Sequence, residues 1–141
     1  MFLLYGKYFK YAMKYFRNKL AVMDFVFFFC YTYPWTAIDD EGNAVGHFTM
    51  RYVNGDSRQV RFGWVVVDQS ARGKGYGKQM LSLGLQYAFD IFGAKKVTIG
   101  VFENNAPAHE CYKKVGFVDR EIVKGDPWNV VEMEILRENR K

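Results

Sequence analysis

The sequence predicts one α/β domain, and three observations carry that prediction. Half of the 141 residues are hydrophobic and 18% are aromatic, which supplies a core and argues against disorder. Residues 35–68 read as strands broken by turn signals at 39–43 and at Asn54-Gly55, the pattern of an antiparallel meander. Beyond Gly77 the apolar period lengthens to helical spacing, and a helix, a strand, a second helix and a closing pair of strands follow.

Taken in order, Tyr5, Tyr8, Phe9, Ala12, Met13 and Phe16 recur at helical spacing between lysines and Arg17. This predicts an amphipathic helix over residues 5–20 with a basic outer face. Its apolar stripe reads as core or groove wall, with a membrane-surface or partner helix as the less favoured use. Residues 25–36 read as a buried strand, or a loop and a strand, and residues 35–38 start a hairpin through the acidic turn at 39–43. A strand resumes over 44–52, Asn54-Gly55 reverses the chain, and residues 58–68 form the next strand. In the second half Met80, Leu81, Gly84, Ala88 and Ile91 share one helix face, and Gly93 is placed to stop that helix.

The β-branched stretch Lys96–Phe102 predicts a strand. Residues 105–115 predict a short helix, with Pro107 in its first turn and Gly116 at its end. Residues 117–123 and 129–136 form the closing strands, and the charged residues 137–141 read as a frayed tail. No repeat, linker or low-complexity stretch divides the chain, so residues 1–141 read as a single domain in which 1–34 are only loosely placed.

Charge and cysteine content narrow the function classes. A net charge of +5 suits an anionic ligand, although a generally basic surface accounts for it equally well. Cys30 and Cys111 lie far apart and cluster with neither His47 nor His109, so neither a metal site nor a disulfide framework is indicated and a reducing, cytoplasmic compartment fits. The apolar start is too short for a signal peptide, and the apolar run at 25–33 falls well short of the roughly 20 residues needed to span a bilayer. The expectation is a protein without a membrane span.

Chemistry concentrates in residues 65–78. Val65, Val66 and Val67 end an apolar run. Asp68 opens a polar turn, and Arg72, Gly73, Lys74, Gly75, Tyr76, Gly77 and Lys78 lead into the long helix. Alternating glycines permit left-handed backbone and close approach. The N-terminus of the helix offers free N–H groups and a positive dipole end, and Arg72, Lys74 and Lys78 add full charges. Together these features predict a phosphate or pyrophosphate cradle. A P-loop is excluded, because Arg72 and Gln79 stand where it needs glycine and Ser or Thr. A dinucleotide fingerprint is excluded because Lys78 stands at its third glycine.

The segment Arg72-x-x-Gly75-x-Gly77 resembles the Arg/Gln-x-x-Gly-x-Gly/Ala signature of the GNAT superfamily of acyl-CoA N-acyltransferases. A second run, Asn105-x-x-Ala108-x-x-x-Tyr112-x-x-x-Gly116-Phe117, resembles another pattern of the same superfamily and follows one helix and one strand later. The resemblance covers residues 35–136 well. It implies a mixed, mostly antiparallel sheet, flanked by helices and splayed at its centre to take the pantetheine arm of acetyl-CoA. It further implies that Val65 and Val67 hydrogen-bond the pantetheine amides, with Val66 between them. The segment from Arg72 through Lys78, including Gly73, Lys74, Gly75, Tyr76 and Gly77, would hold the pyrophosphate. Asn105 would contact the cofactor near the thioester, and Tyr112 would protonate the departing thiolate.

The implied reaction is acetyl transfer from acetyl-CoA to a primary amine, of a small molecule or a peptide, by direct attack in a ternary complex and without a metal. Nucleic acid is a less favoured partner, since cations are interleaved rather than clustered, and a homodimer stays open. Several members of the superfamily place a glutamate five residues before the motif asparagine; that position here is Gly100. Asp68, Glu103, His47 and Glu132 are the substitute bases, none of them favoured. His109, one residue off the Ala108–Tyr112 face, reads as surface, and Cys111 as packing. Trp35, Phe48, Tyr52, Phe62 and Trp64 alternate along the meander and read as core, with an acceptor-pocket lining as the second use. The competing reading is a non-catalytic acyl-CoA-binding or sensor module on the same fold.

Overall fold

The computed structural model of the chain describes residues 2–5 and 32–140. Strands β1 (Phe2–Tyr5), β2 (Tyr33–Ile38), β3 (Ala44–Val53) and β4 (Asp56–Val67) come first. Helix α1 (Tyr76–Asp90), β5 (Lys96–Phe102), α2 (Ala106–Val115), β6 (Val118–Val123) and β7 (Val130–Leu136) follow. The strands form one sheet in the order β1-β2-β3-β4-β5-β7-β6, antiparallel except between β4 and β5.

Local chemistry sets the turns. Asn54 and Gly55 both take left-handed backbone, with φ of 51° and 74°, as a two-residue hairpin requires. At the preceding turn the Asp39 carboxylate accepts from the backbone N–H groups of Glu41 and Asn43. These hydrogen bonds, led by that of Asn43, hold its pKa below the ordinary carboxylate value.

Period-2 alternation sorts the sheet into two faces. On one face Phe48, Met50, Val60, Phe62, Val97, Ile99, Met133 and Ile135 are buried, together with Met80, Leu81, Leu85, Ala88 and Phe89 of α1. Each large side chain buried this way contributes roughly 1.5–3 kcal/mol. Gly84 is what lets α1 lie so close, since a Cβ there would sit 2.7 Å from Phe48 Cζ and 3.2 Å from Phe62 Cζ. The opposite face is polar and carries Thr36, His47, Thr49, Arg61, Thr98, Glu132 and Glu134.

The sheet splits at its centre. β4 pairs with β5 only from Gln59↔Lys96 to Phe62↔Ile99, so residues 63–67 and 100–102 diverge. The divergence starts at a bulge. His47 faces Val66 and Thr49 faces Gly63, so two steps along β3 match three along β4. Trp64, within the bulge, is held at φ 52° with its side chain 60% exposed, a backbone state that costs a non-glycine residue about 1–3 kcal/mol.

Several expectations need correction. Tyr5, placed at the start of a helix, ends strand β1, and residues 6–31, which carry the rest of that helix and the 25–31 stretch, lie outside the described residues. Ile91 is not on the buried face of α1: the helix ends at Asp90, leaving Ile91 65% exposed, while Leu85 and Phe89 complete the apolar stripe. The C-terminal tail is not frayed throughout, because Arg137–Asn139 make a 3-10 turn and Arg140 Nη1 pairs with Asp90 at 2.9 Å. Among the described residues no helix is long and apolar enough to cross a membrane.

Candidate active site

The divergent arms of β4 and β5, with the N-terminus of α1 and one face of α2, enclose a cavity of about 570 Å³. Val67 ends β4, and Asp68 caps the 3-10 turn Gln69–Ala71 by accepting from Ser70 N–H. Arg72 then folds back and donates through Nε to Val67 O at 3.3 Å. Gly73 and Gly75 take φ of 76° and 83°, and a Cβ at either would meet no atom within 4 Å; conformation, rather than space, selects glycine here. Gly77 is different: a Cβ would lie in ordinary van der Waals contact, 3.4 Å from Val67 Cγ2 and 3.5 Å from Cys111 Sγ. Gly75 caps α1 without a side-chain hydrogen bond, and the first-turn N–H groups open toward the loop.

Backbone direction in β4 follows from its pairing. Asp68 N–H donates to Val45 O and Val66 faces His47, so these residues turn their peptide groups to β3. Val65 and Val67, one step out of phase, turn theirs into the split, as the Arg72 bond to Val67 O requires. Val66 reaches the cavity without offering peptide groups to it.

On α2, Asn105 caps the first turn by accepting from Ala108 N–H at 3.3 Å, and Gly116, at φ 117°, closes the helix. Tyr112 lies on the inner face with only 6% of its surface exposed, packed against Phe117. Burial, with a smaller effect of neighbouring Cys111, pushes its phenol up to about 12. Burial likewise raises the Cys111 thiol, against the weaker pull of Lys114 and Lys78.

Of the residues singled out from sequence, Val65, Val66, Val67, Arg72, Gly73, Gly75, Tyr76, Gly77, Lys78, Asn105 and Tyr112 line this one cavity. Lys74 does not; it sits at the exposed tip of the loop. Ala71, Leu81, Pro107, Ala108, Glu110, Cys111 and Lys114 also line it. Lys78 and Lys114, brought together from different helices, make its wall cationic with Arg72, and among the described residues Glu110 is the one lining carboxylate. Helical spacing from Tyr112 was the available signal for Ala108, while nothing local marks Lys114 or Glu110. Cys111, taken as packing, faces the cavity.

The substitute bases lie elsewhere. Asp68 is engaged by the turn, and Glu103 accepts from Asn129 Nδ2 at 2.9 Å. Glu132 is paired with Arg61 at 2.6 and 2.8 Å. His47 sits on the polar face, 3.4 Å from Thr36 Oγ1, and burial lowers its pKa, which keeps the ring neutral near pH 7. His109 is not a free surface residue, since its Nε2 lies 2.7 Å from Asp119 Oδ1. Trp35, Phe48 and Phe62 are core, and Trp64 alone of the alternating aromatics is strongly exposed. Among the described residues no three His, Cys, Asp or Glu side chains gather as metal ligands.

A split sheet, a left-handed glycine loop at a helix N-terminus and a buried tyrosine across the gap thus meet around one cavity of this α/β fold. The chain belongs to the acetyltransferase (GNAT) family, whose model matches residues 6–117. It is 30% identical over 95 residues to a spermine/spermidine N(1)-acetyltransferase of Bacillus subtilis, covering 62% of this chain and 61% of that protein. It is 34% identical over 83 residues to a mycothiol acetyltransferase of Salinispora tropica, covering 57% of this chain and 27% of that one. The chain thus spans less than two thirds of the length of these curated relatives. In three dimensions it resembles the spermidine N-acetyltransferase of Vibrio cholerae, solved in complex with CoA and spermine. The TM-score is 0.68 at 23% identity, over 77% of this chain and 67% of that one.

Proposed function

We propose that this protein is an acetyl-CoA-dependent N-acetyltransferase that moves an acetyl group to a primary amine by direct attack in a ternary complex. The observation that carries the reading is the split between β4 and β5, with the Arg72–Lys78 loop at one end of it and Tyr112 facing it. Val65 and Val67 present peptide groups to the pantetheine amides along the β4 arm. Arg72, Lys78 and the free N–H groups of α1 receive the pyrophosphate, with Gly73, Gly75 and Gly77 keeping the wall low and Lys74 adding charge from the rim. Asn105 orients the start of α2 beside the thioester, and backbone N–H groups of the splayed β4 arm polarise its carbonyl.

Tyr112 supports departure of the sulfur. With its pKa at about 12, the phenol stays protonated across the working range. Full transfer to a thiolate of pKa about 8.5 would run uphill by some 3 units, roughly 4–5 kcal/mol, so its contribution is a hydrogen bond that strengthens as charge develops. A polyamine is the first acceptor to offer, because relatives carry that activity in their names; a peptide amine is the second. A cytoplasmic site of action, where Cys111 stays a thiol, and a homodimer belong to the same reading.

Calorimetric titration with acetyl-CoA, against ATP and NAD as controls, tests the cradle, and turnover with spermidine tests the transfer. Selective acetyl-CoA binding with turnover is expected, and Tyr112→Phe should lower kcat by about 10²-fold while leaving the acetyl-CoA Kd within about threefold. Binding without turnover of any amine would favour a sensor module, and absence of binding would overturn the reading.

A further inference from the structure

We propose that the Arg61–Glu132 ion pair is a positioning device that sets where the cleft between β4 and β5 opens; this rests on reading that split as the acyl-donor cleft. Arg61 Nη1 and Nη2 donate to Glu132 Oε2 and Oε1 at 2.6 and 2.8 Å, a two-pronged pair about a quarter exposed on the polar face. Arg61 belongs to β4 and Glu132 to β7, and between them runs β5, so the pair reaches over a whole strand. It crosses at Gly100, which is opposite Glu132 in register. Gly100 is also the first residue of β5 beyond the last β4–β5 rung, Phe62↔Ile99.

The space over Gly100 is fully used by this arrangement. A Cβ there would sit 2.9 Å from Arg61 Nη2, 3.1 Å from Val130 Cγ1 and 3.2 Å from Glu132 Oε1. The pair therefore ties the outer arms across the vertex at the point where backbone hydrogen bonding ends. Hydrogen bonding to Glu132, outweighing burial, raises the pKa of Arg61, and a planar guanidinium fork fixes angle as well as distance. Beyond this tie β4 is free to bulge at Trp64 and carry Val65 and Val67 outward. Without it, the rungs from Gln59↔Lys96 to Phe62↔Ile99 become the frayed end of a short parallel ladder, and the vertex migrates toward Gln59.

Native-state amide exchange on the full chain tests this independently of any activity. In Glu132→Gln, and in Gly100→Ala, which displaces the pair while keeping both charges, those amides of 60–62 and 97–99 that point across the β4–β5 ladder should exchange at least tenfold faster. Amides of α1 at Ala88 and Phe89 should be unmoved, and the reversed pair Arg61→Glu/Glu132→Arg should restore protection. Uniform acceleration throughout the chain, or none, overturns the proposal. With spermidine and acetyl-CoA, kcat should fall tenfold or more and acetyl-CoA affinity should weaken in the single variants, both recovering in the reversed pair. Lost kcat that the reversed pair leaves unrecovered would mean that Glu132 acts on the acceptor directly, and would overturn positioning. A wild-type chain that neither binds nor turns over acetyl-CoA defeats the functional reading, while amide exchange still decides whether the pair holds the vertex.

Discussion

Under the proposed function Tyr112 has to satisfy two demands, as a core side chain and as the hydroxyl assigned to the departing sulfur. Its ring is packed against Phe117 beneath α2 while the residue also lines the cavity. Burial raises its pKa from 10 to about 12, which makes the hydroxyl a visible reporter of fold stability. Between pH 10 and 12 the folded chain keeps a proton that the unfolded chain has lost, so stability is whole below pH 10 and declines as pH rises through that window. At 1.36 kcal/mol per unit the decline amounts to roughly 2–3 kcal/mol. Urea unfolding at a series of alkaline pH values should show this slope in the wild-type chain and a shallower one in Tyr112→Phe. Identical slopes would mean the hydroxyl is not held in the apolar setting seen here. The comparison with the variant is essential, because burial also raises Tyr52.

At the scale of the element, α1 carries both the terminus proposed to receive the anion and the apolar face Met80, Leu81, Leu85, Ala88 and Phe89 that covers the sheet, and Gly84 lies at the centre of that face. Replacing Gly84 with Ala gains about 1 kcal/mol of helix propensity, but the added methyl would meet Phe48 at 2.7 and 2.9 Å and Phe62 at 3.2 Å. Those rings are packed against each other at 5.1 Å and have no room to yield, so overpacking of about 1–3 kcal/mol prevails. Thermal unfolding of Gly84→Ala should show a net loss, and a stabilised variant would contradict the packing described. The same helix shows what the sequence makes legible. Its start was readable because alternating glycines and cations are a local signal, as were β5 and the short helix α2 with its Gly116 stop. Its apolar face was readable except at the end, where Ile91 fits the period but falls past the last turn and Phe89 takes the buried place. Strand β1 and the Trp64 bulge left no comparable mark, because strand pairing and positive φ at a tryptophan are imposed by tertiary contact. The Arg61–Glu132 pair, 71 residues apart in sequence, and the convergence of Lys78 and Lys114 are likewise products of topology that no local window contains.

For the molecule as a whole, the cavity is walled by three separate parts of the chain: the free arm of β4, the start of α1 and the inner face of α2. A ligand spanning them should stabilise the folded chain as a unit. At a concentration of about 100 times Kd the gain is roughly 2.7 kcal/mol, which for a chain of this size corresponds to a rise in Tm of about 5–10 °C. Since Arg72, Lys78 and Lys114 line the wall, much of that gain is electrostatic and partly open to solvent. Raising salt from about 0.1 M, where the Debye length is about 10 Å, to about 1 M, where it is about 3 Å, should therefore erode it. Gly75→Val should nearly abolish the shift at any salt, because a β-branched residue resists the left-handed backbone at φ 83° that turns the loop into α1. Arg58→Gln removes a cation of the same charge from an exposed hairpin where Arg58 pairs with Asp56, and should leave the ligand-induced shift unchanged. A shift that ignored salt and survived Gly75→Val would place the ligand somewhere other than the cradle. One that weakened equally in Arg58→Gln would reduce the effect to net charge alone.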